Sequence, residues 1–279
     1  MVKQYSYSSQ AGNEIPITLY GAESFGSHPC VIYIHGFKGF KDWGFVPFAA
    51  EYFAANNISF IAFNFSHNGI GADMENFTEK DKFLQNSLSL ELDEALEIIH
   101  LCAHTDFFGK YLNQPIGLLG HSRGGGIAVL AAERAREIKA ISTWAAVSTF
   151  ERYNKQEIQE WKSKGYKEVV NSRTGQVLRM GQEMLKDVEK HVKKKLHVLN
   201  AVKRMEKPIL ILHGQSDETV PYFEAEHLNI YSSPEFSTMR LIPATGHTFG
   251  AKHPFEGSTP ALDVALEQSL IFFKEKLVQ

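Results

Sequence analysis

Between an apolar run, Pro115 to Leu119, and a small-residue stretch, Gly126 to Ala132, lies Gly120-His121-Ser122-Arg123-Gly124. Strand, Gly-x-Ser-x-Gly, helix is the pattern of a nucleophile elbow. The turn is so tight that residues flanking the serine must be small. The hydroxyl is left exposed, and the next helix aims its free N–H groups at the reacting centre. Such a serine can attack an acyl carbon. A hydroxyl is a weak nucleophile at neutral pH, so the chemistry also needs a base, a group that orients the base, and donors for the oxyanion.

Each of these has a candidate at the end of an extended run. The acid is Asp217, which follows Pro208-Ile209-Leu210-Ile211-Leu212 and His213-Gly214-Gln215-Ser216. The base is His247, in Ala244-Thr245-Gly246-His247 after the run Met239 to Ile242, with His253 as its nearby rival. The order serine, acid, histidine is the one this architecture uses. The oxyanion loop is His35-Gly36-Phe37-Lys38-Gly39, and the expected donors are the backbone amides of Phe37 and Arg123. His35 is expected to orient that loop rather than move protons. His35, Gly36, His121 and Trp161 are the residues expected to bind substrate. No His-Glu-x-x-His and no cysteine pair at zinc spacing occurs, so no metal is expected. His67 and Asp73 flank a glycine-rich loop and are read as polar groups that fix it.

The elements that would carry these groups alternate. Solid apolar runs at Cys30–Ile34, Ile58–Phe65, Pro115–Leu119, Ala140–Ala146 and Pro208–Leu212 read as strands buried on both faces. Lys3 to Ser9 and Ile15 to Tyr20 read as a hairpin turning at Gly12-Asn13. Helical stretches fall between: Phe45–Ala55, Leu88–Cys102, Gly126–Arg136, Tyr222–Ile230 and Leu262–Lys276. Leu88, Leu92, Ala95, Leu96 and Ile99 form the apolar stripe of the second of these. Glu91, Asp93, Glu94 and Glu97 are assigned mostly to its other side. Alternation of strand and helix predicts an α/β fold with a mostly parallel central sheet and helices on both faces. Residues 150–207 break the pattern. They are highly charged, read as helix or loop rather than strand, and fall where ligands bind in such sheets. They are expected to form a helical cap on a core made of residues 1–149 and 208–279. Lys190 to Lys195 is the most basic patch of this cap and reads as a solvated face.

With 43% hydrophobic and 22% charged residues the chain is globular in composition, and a net charge of -3 gives no reason to expect nucleic acid as a partner. Two cysteines, Cys30 and Cys102, make no disulfide framework and read as buried thiols. Met1 to Tyr7 holds no apolar signal core, and no apolar run approaches a membrane span. A cytoplasmic protein acting on a small-molecule ester or acyl substrate is expected.

With these pieces in order the chain resembles the α/β-hydrolase superfamily. The resemblance rests on His35-Gly36-Phe37-Lys38-Gly39, the Gly120–Gly125 elbow, His213-Gly214 through Asp217, and Gly246-His247. Within it, His-Gly-Phe-x-Gly, the loop Asn64 to Gly71 and Gly-His-Ser-x-Gly-Gly look most like cinnamoyl/feruloyl-type esterases and serine aminopeptidase-like hydrolases. The resemblance implies hydrolysis of an ester or similar acyl bond without a metal or organic cofactor. A peptidase, a thioesterase or lipase, and a non-catalytic ligand-binding member of the fold remain open alternatives. Arg123 and the charged cap are where substrate choice is expected to lie.

Overall fold

The computed structural model describes residues 1–73, 76–111, 114–171 and 174–278. The chain opens with the strands β1 (Val2–Ser8), β2 (Glu14–Tyr20) and β3 (Cys30–Ile34), then α1 (Val46–Ala55) and β4 (Ser59–Phe63). Next come α2 (Lys80–Gln85), α3 (Leu88–His104), β5 (Ile116–His121), α4 (Arg123–Arg134) and β6 (Ile138–Trp144). The charged segment folds as α5 (Lys155–Lys164), β7 (Tyr166–Val170), β8 (Val177–Gly181), α6 (Gln182–His191) and α7 (Val198–Arg204). The chain then returns through β9 (Ile209–Gly214), α8 (Phe223–Tyr231), β10 (Ser237–Ile242) and α9 (Pro260–Leu277).

Eight strands form one sheet in the order β1-β2-β4-β3-β5-β6-β9-β10. The first three pair antiparallel and the rest parallel, with Ile34 beside Gly120 and Ile141 beside Ile209. Every residue of β3, β4, β5 and β9 is buried, as continuous apolar runs require of strands covered on both sides. Two cores result. Helices α1 and α9 pack Val46, Phe53, Leu262 and Phe273 on one face. The other face is covered by α3, α4, α7 and α8 through Leu92, Ile127, Ala201 and Leu228. Cys30 and Cys102 are both free and buried.

Two expectations need correction. The charged segment is not helix and loop alone, because β7 and β8 form an antiparallel hairpin. Gly165, at φ +81°, ends α5 in a left-handed cap, and the strands that follow carry Val169, Val170 and Val177. Glu168 faces Arg179 across the ladder and bonds to it at 3.2 Å, so part of the segment's charge is a cross-strand pair. The second correction concerns α3. Glu91 and Glu94 are each only 1% exposed. Position 91 lies three residues after Leu88 and four before Ala95, on the apolar stripe itself.

Candidate active site

Ser122 sits between the end of β5 and the start of α4 at φ +57°, a conformation a non-glycine residue adopts only where its surroundings impose it. Its neighbours show the constraint. A Cβ at Gly124 would lie 2.2 Å from the Ile34 carbonyl oxygen and 2.4 Å from that of His35. The Ser122 amide donates to the Trp144 carbonyl of β6 at 2.8 Å, and its own carbonyl accepts from Gly125 and Val147. The elbow is therefore hydrogen-bonded to the end of β6 and packed close against the end of β3.

His247 comes from the loop after β10. Its Nε2 is 3.0 Å from Ser122 Oγ and its Nδ1 is 2.8 Å from Asp217 Oδ2. Asp217, from the loop after β9, is buried, and its other oxygen accepts the amides of Thr219 and Val220, both at 2.9 Å. Burial works against its charge. Hydrogen bonding from His213 and His247, the His247 charge and the Val220 amide outweigh that and hold the carboxyl well below its ordinary value. His213, at the end of β9, aims Nε2 at the Val220 carbonyl at 2.7 Å and stands 3.3 Å from Asp217 Oδ2. Sequence reading assigned His213 no role, although its place in the His-Gly pair before Asp217 marked it.

The loop of residues 35–39 passes close against Ser122. A Cβ on Gly36 would come within 2.8 Å of Ser122 Cβ. Among the described residues, neither the Phe37 amide nor that of Arg123, the first of α4, has an intramolecular acceptor. His35 lies behind this loop, buried. It accepts the Phe65 amide on Nε2 at 3.2 Å and donates from Nδ1 to the Gly36 carbonyl at 2.9 Å. Burial lowers its pKa to about 4, so it stays neutral and braces the loop. His121 donates from Nε2 to the His247 carbonyl at 2.9 Å, its ring 4.8 Å from that of His247. Burial, then the neighbouring His247, takes its pKa down to about 3.

Ser122, His247, Gly36, Phe37, His121 and Arg123 all line a cleft of about 640 Å³. Its walls are largely aromatic and apolar, with Phe40, Trp43, Phe77, Phe150, Tyr153 and Met184 prominent. His35 and Trp161 are not brought to it. Trp161, 1% exposed, packs edge-on against Tyr153 at 5.2 Å, and Tyr153 is the ring that reaches the cleft. His253, the rival base, lines the cleft but accepts the Gly44 amide on Nδ1 and lies against Trp43. His67 Nδ1 is 2.7 Å from Ser66 Oγ, and Asp73 accepts both the amide and the side-chain nitrogen of Asn76.

Below the cleft lies an ion pair. Arg123 donates to Glu91 at 2.5 Å, and Asn86 donates to the same oxygen at 2.8 Å. The guanidinium, 14% exposed, also stands 4.5 Å from the centroid of the Phe37 ring. The Arg123 side chain thus links the buried Glu91 to the Phe37 ring.

A family model described as BD-FAE matches residues 91–231, just over half of the chain. No curated protein matches the chain. Among solved structures, the α/β hydrolase GrgF from Penicillium sp. sh18 aligns at TM-score 0.74 with 17% identity, covering 100% of both chains. Est1E from Butyrivibrio proteoclasticus, with ferulic acid bound, aligns at TM-score 0.70 and 19% identity over 97% of this chain and 98% of its own. Alpha/beta hydrolase domain-containing protein 10 from mouse aligns at 0.72 and 17% over 98% and 97%. The fold is that of the α/β hydrolases.

Proposed function

The chain belongs to the BD-FAE family, and we propose that it is a serine hydrolase that cleaves carboxylic esters through an acyl-enzyme. The observation that carries this is the unbroken line of contacts from Asp217 through His247 to Ser122 Oγ, opening on the aromatic cleft. With Nδ1–H donating to Asp217, His247 keeps Nε2 free to take the Ser122 proton as Oγ attacks the ester carbonyl. Asp217, already held in its charged form, stabilises the imidazolium. The amides of Phe37 and Arg123 receive the oxyanion, each worth about 3–4 kcal/mol in the transition state. His247 returns the proton to the departing alcohol, and a water activated by the same histidine releases the acid. We read residues 150–207 as the cap of this site, since Asn171, Met180, Met184 and Val188 supply part of the cleft wall. The bound ferulic acid of Est1E and the aromatic wall here both favour aryl or hydroxycinnamoyl esters as first substrates to try.

The test is a panel of p-nitrophenyl and hydroxycinnamoyl esters, with Ser122→Ala as blank, alongside labelling by a fluorophosphonate probe. Hydrolysis and labelling are both expected, and both are expected to vanish in Ser122→Ala. Full activity in that variant would overturn the assignment.

A further inference from the structure

Four cationic side chains line the cleft, Lys38, Arg123, Arg152 and Lys252, and among the described residues no carboxylate does. The chain as a whole is acidic, at -3, so the cleft runs against the general charge. Three of the cations have a carboxylate partner outside the cleft lining. Arg123 has Glu91 at 2.5 Å, Arg152 has Glu224 at 2.8 Å, and Lys252 has Glu256 at 2.9 Å. Among the described residues Lys38 has no such partner. Its Nζ donates to the Val170 carbonyl of β7 at 2.9 Å, which satisfies one of three donors and none of the charge.

Its position is built rather than incidental. Lys38 follows Phe37 in the oxyanion loop at φ +58°, left-handed backbone that a lysine holds only when its neighbours require it. The side chain is half-buried, and desolvation pulls its pKa below the ordinary lysine value. An ammonium in this setting is short of a counter-charge, and the open side is the substrate's side.

We propose, on the footing of the ester-hydrolase reading, that this site selects esters that carry a carboxylate elsewhere in the molecule, and that Lys38 receives it. A purely structural Lys38, tethering the oxyanion loop to β7, would affect charged and neutral esters alike. The ratio of the two separates the roles and cancels any loss of folded protein.

The experiment compares kcat/KM within two matched pairs. One is p-nitrophenyl hydrogen glutarate against p-nitrophenyl methyl glutarate, with the charge on the acyl side. The other is 4-acetoxybenzoate against methyl 4-acetoxybenzoate, with the charge on the leaving side. In at least one pair the carboxylate is expected to be favoured about tenfold or more, the scale of one charge-assisted hydrogen bond. Lys38→Met should bring that ratio to about one, and Lys38→Arg should keep it. Equal values within both pairs, or a preference that survives Lys38→Met, overturns the proposal. Calorimetric binding of the same pairs to Ser122→Ala reads the preference without turnover. An inert enzyme that still binds the carboxylate more tightly would therefore sink the hydrolase reading and not the anion selection.

Discussion

Asp217→Asn changes one atom, and the structure dictates how the new side chain must turn. Asp217 Oδ1 accepts two backbone amides, from Thr219 and Val220, each at 2.9 Å. Only an oxygen can sit there, so the asparagine must place its NH₂ where Oδ2 was, against His247 Nδ1 at 2.8 Å. An NH₂ facing that nitrogen requires it to be unprotonated. The proton then moves to Nε2, the atom 3.0 Å from Ser122 Oγ. The histidine would face the nucleophile as a donor and could not take its proton. Loss of the correct tautomer and of the charge that stabilises the imidazolium is worth about 10⁴-fold in kcat, or roughly 5 kcal/mol. The assay is kcat/KM on a p-nitrophenyl ester across neutral to alkaline pH, with urea unfolding run beside it. A folded Asp217→Asn protein within about tenfold of the parent at neutral pH would refute the tautomer argument, because no smaller effect follows from that geometry.

Three more expectations come from the same neighbourhood. Glu94 accepts the Ser66 amide at 3.0 Å and the Ser66 hydroxyl, yet burial raises its pKa from 4.5 to about 7. A raised carboxyl binds its proton more tightly folded than unfolded, so its stabilising effect is full below about pH 4.5 and is lost as pH rises through about 7. Relative to Glu94→Gln, the parent should lose a few kcal/mol between about pH 5 and about pH 8 in urea unfolding, and parallel curves for the two would count against it. Glu91→Gln strips the buried counter-charge from Arg123 and should cost about 2–4 kcal/mol, somewhat under the full range for a buried pair because Arg123 is 14% exposed. The double variant Glu91→Leu/Arg123→Met should regain most of that, and a double variant as unstable as Glu91→Gln would show that the pair is not the cause. Gly36→Ala would set a methyl 2.8 Å from Ser122 Cβ and 3.0 Å from the His121 carbonyl oxygen. The loop must shift and take the Phe37 amide with it. A loss of about 10²-fold in kcat, with KM much less changed, is expected from steady-state kinetics.

The parts of this protein legible in its sequence are those with local causes. A tight turn around a serine, solid apolar runs and the Gly12-Asn13 hairpin are written in neighbouring residues. They predicted the parallel sheet and put Ser122, Asp217 and His247 each at the end of a strand, and the folded chain brings those three side chains into contact. What failed was reading exposure from residue type. Glu91 and Glu94 read as lying mostly opposite the apolar stripe of their helix, yet both are buried and position 91 falls on that stripe. Trp161 was assigned to the substrate, yet it packs beneath Tyr153, which holds the cleft position instead. The hairpin of β7 and β8 was hidden by charges that pair across its ladder. The ion pair of Glu91 with Arg123, and the unmatched charge of Lys38 beside three matched ones, join residues from separate elements. Helical and strand periods set which way a side chain points within its own element. Only the packing of one element on another decides whether that direction leads to water, to a counter-charge or into the cleft.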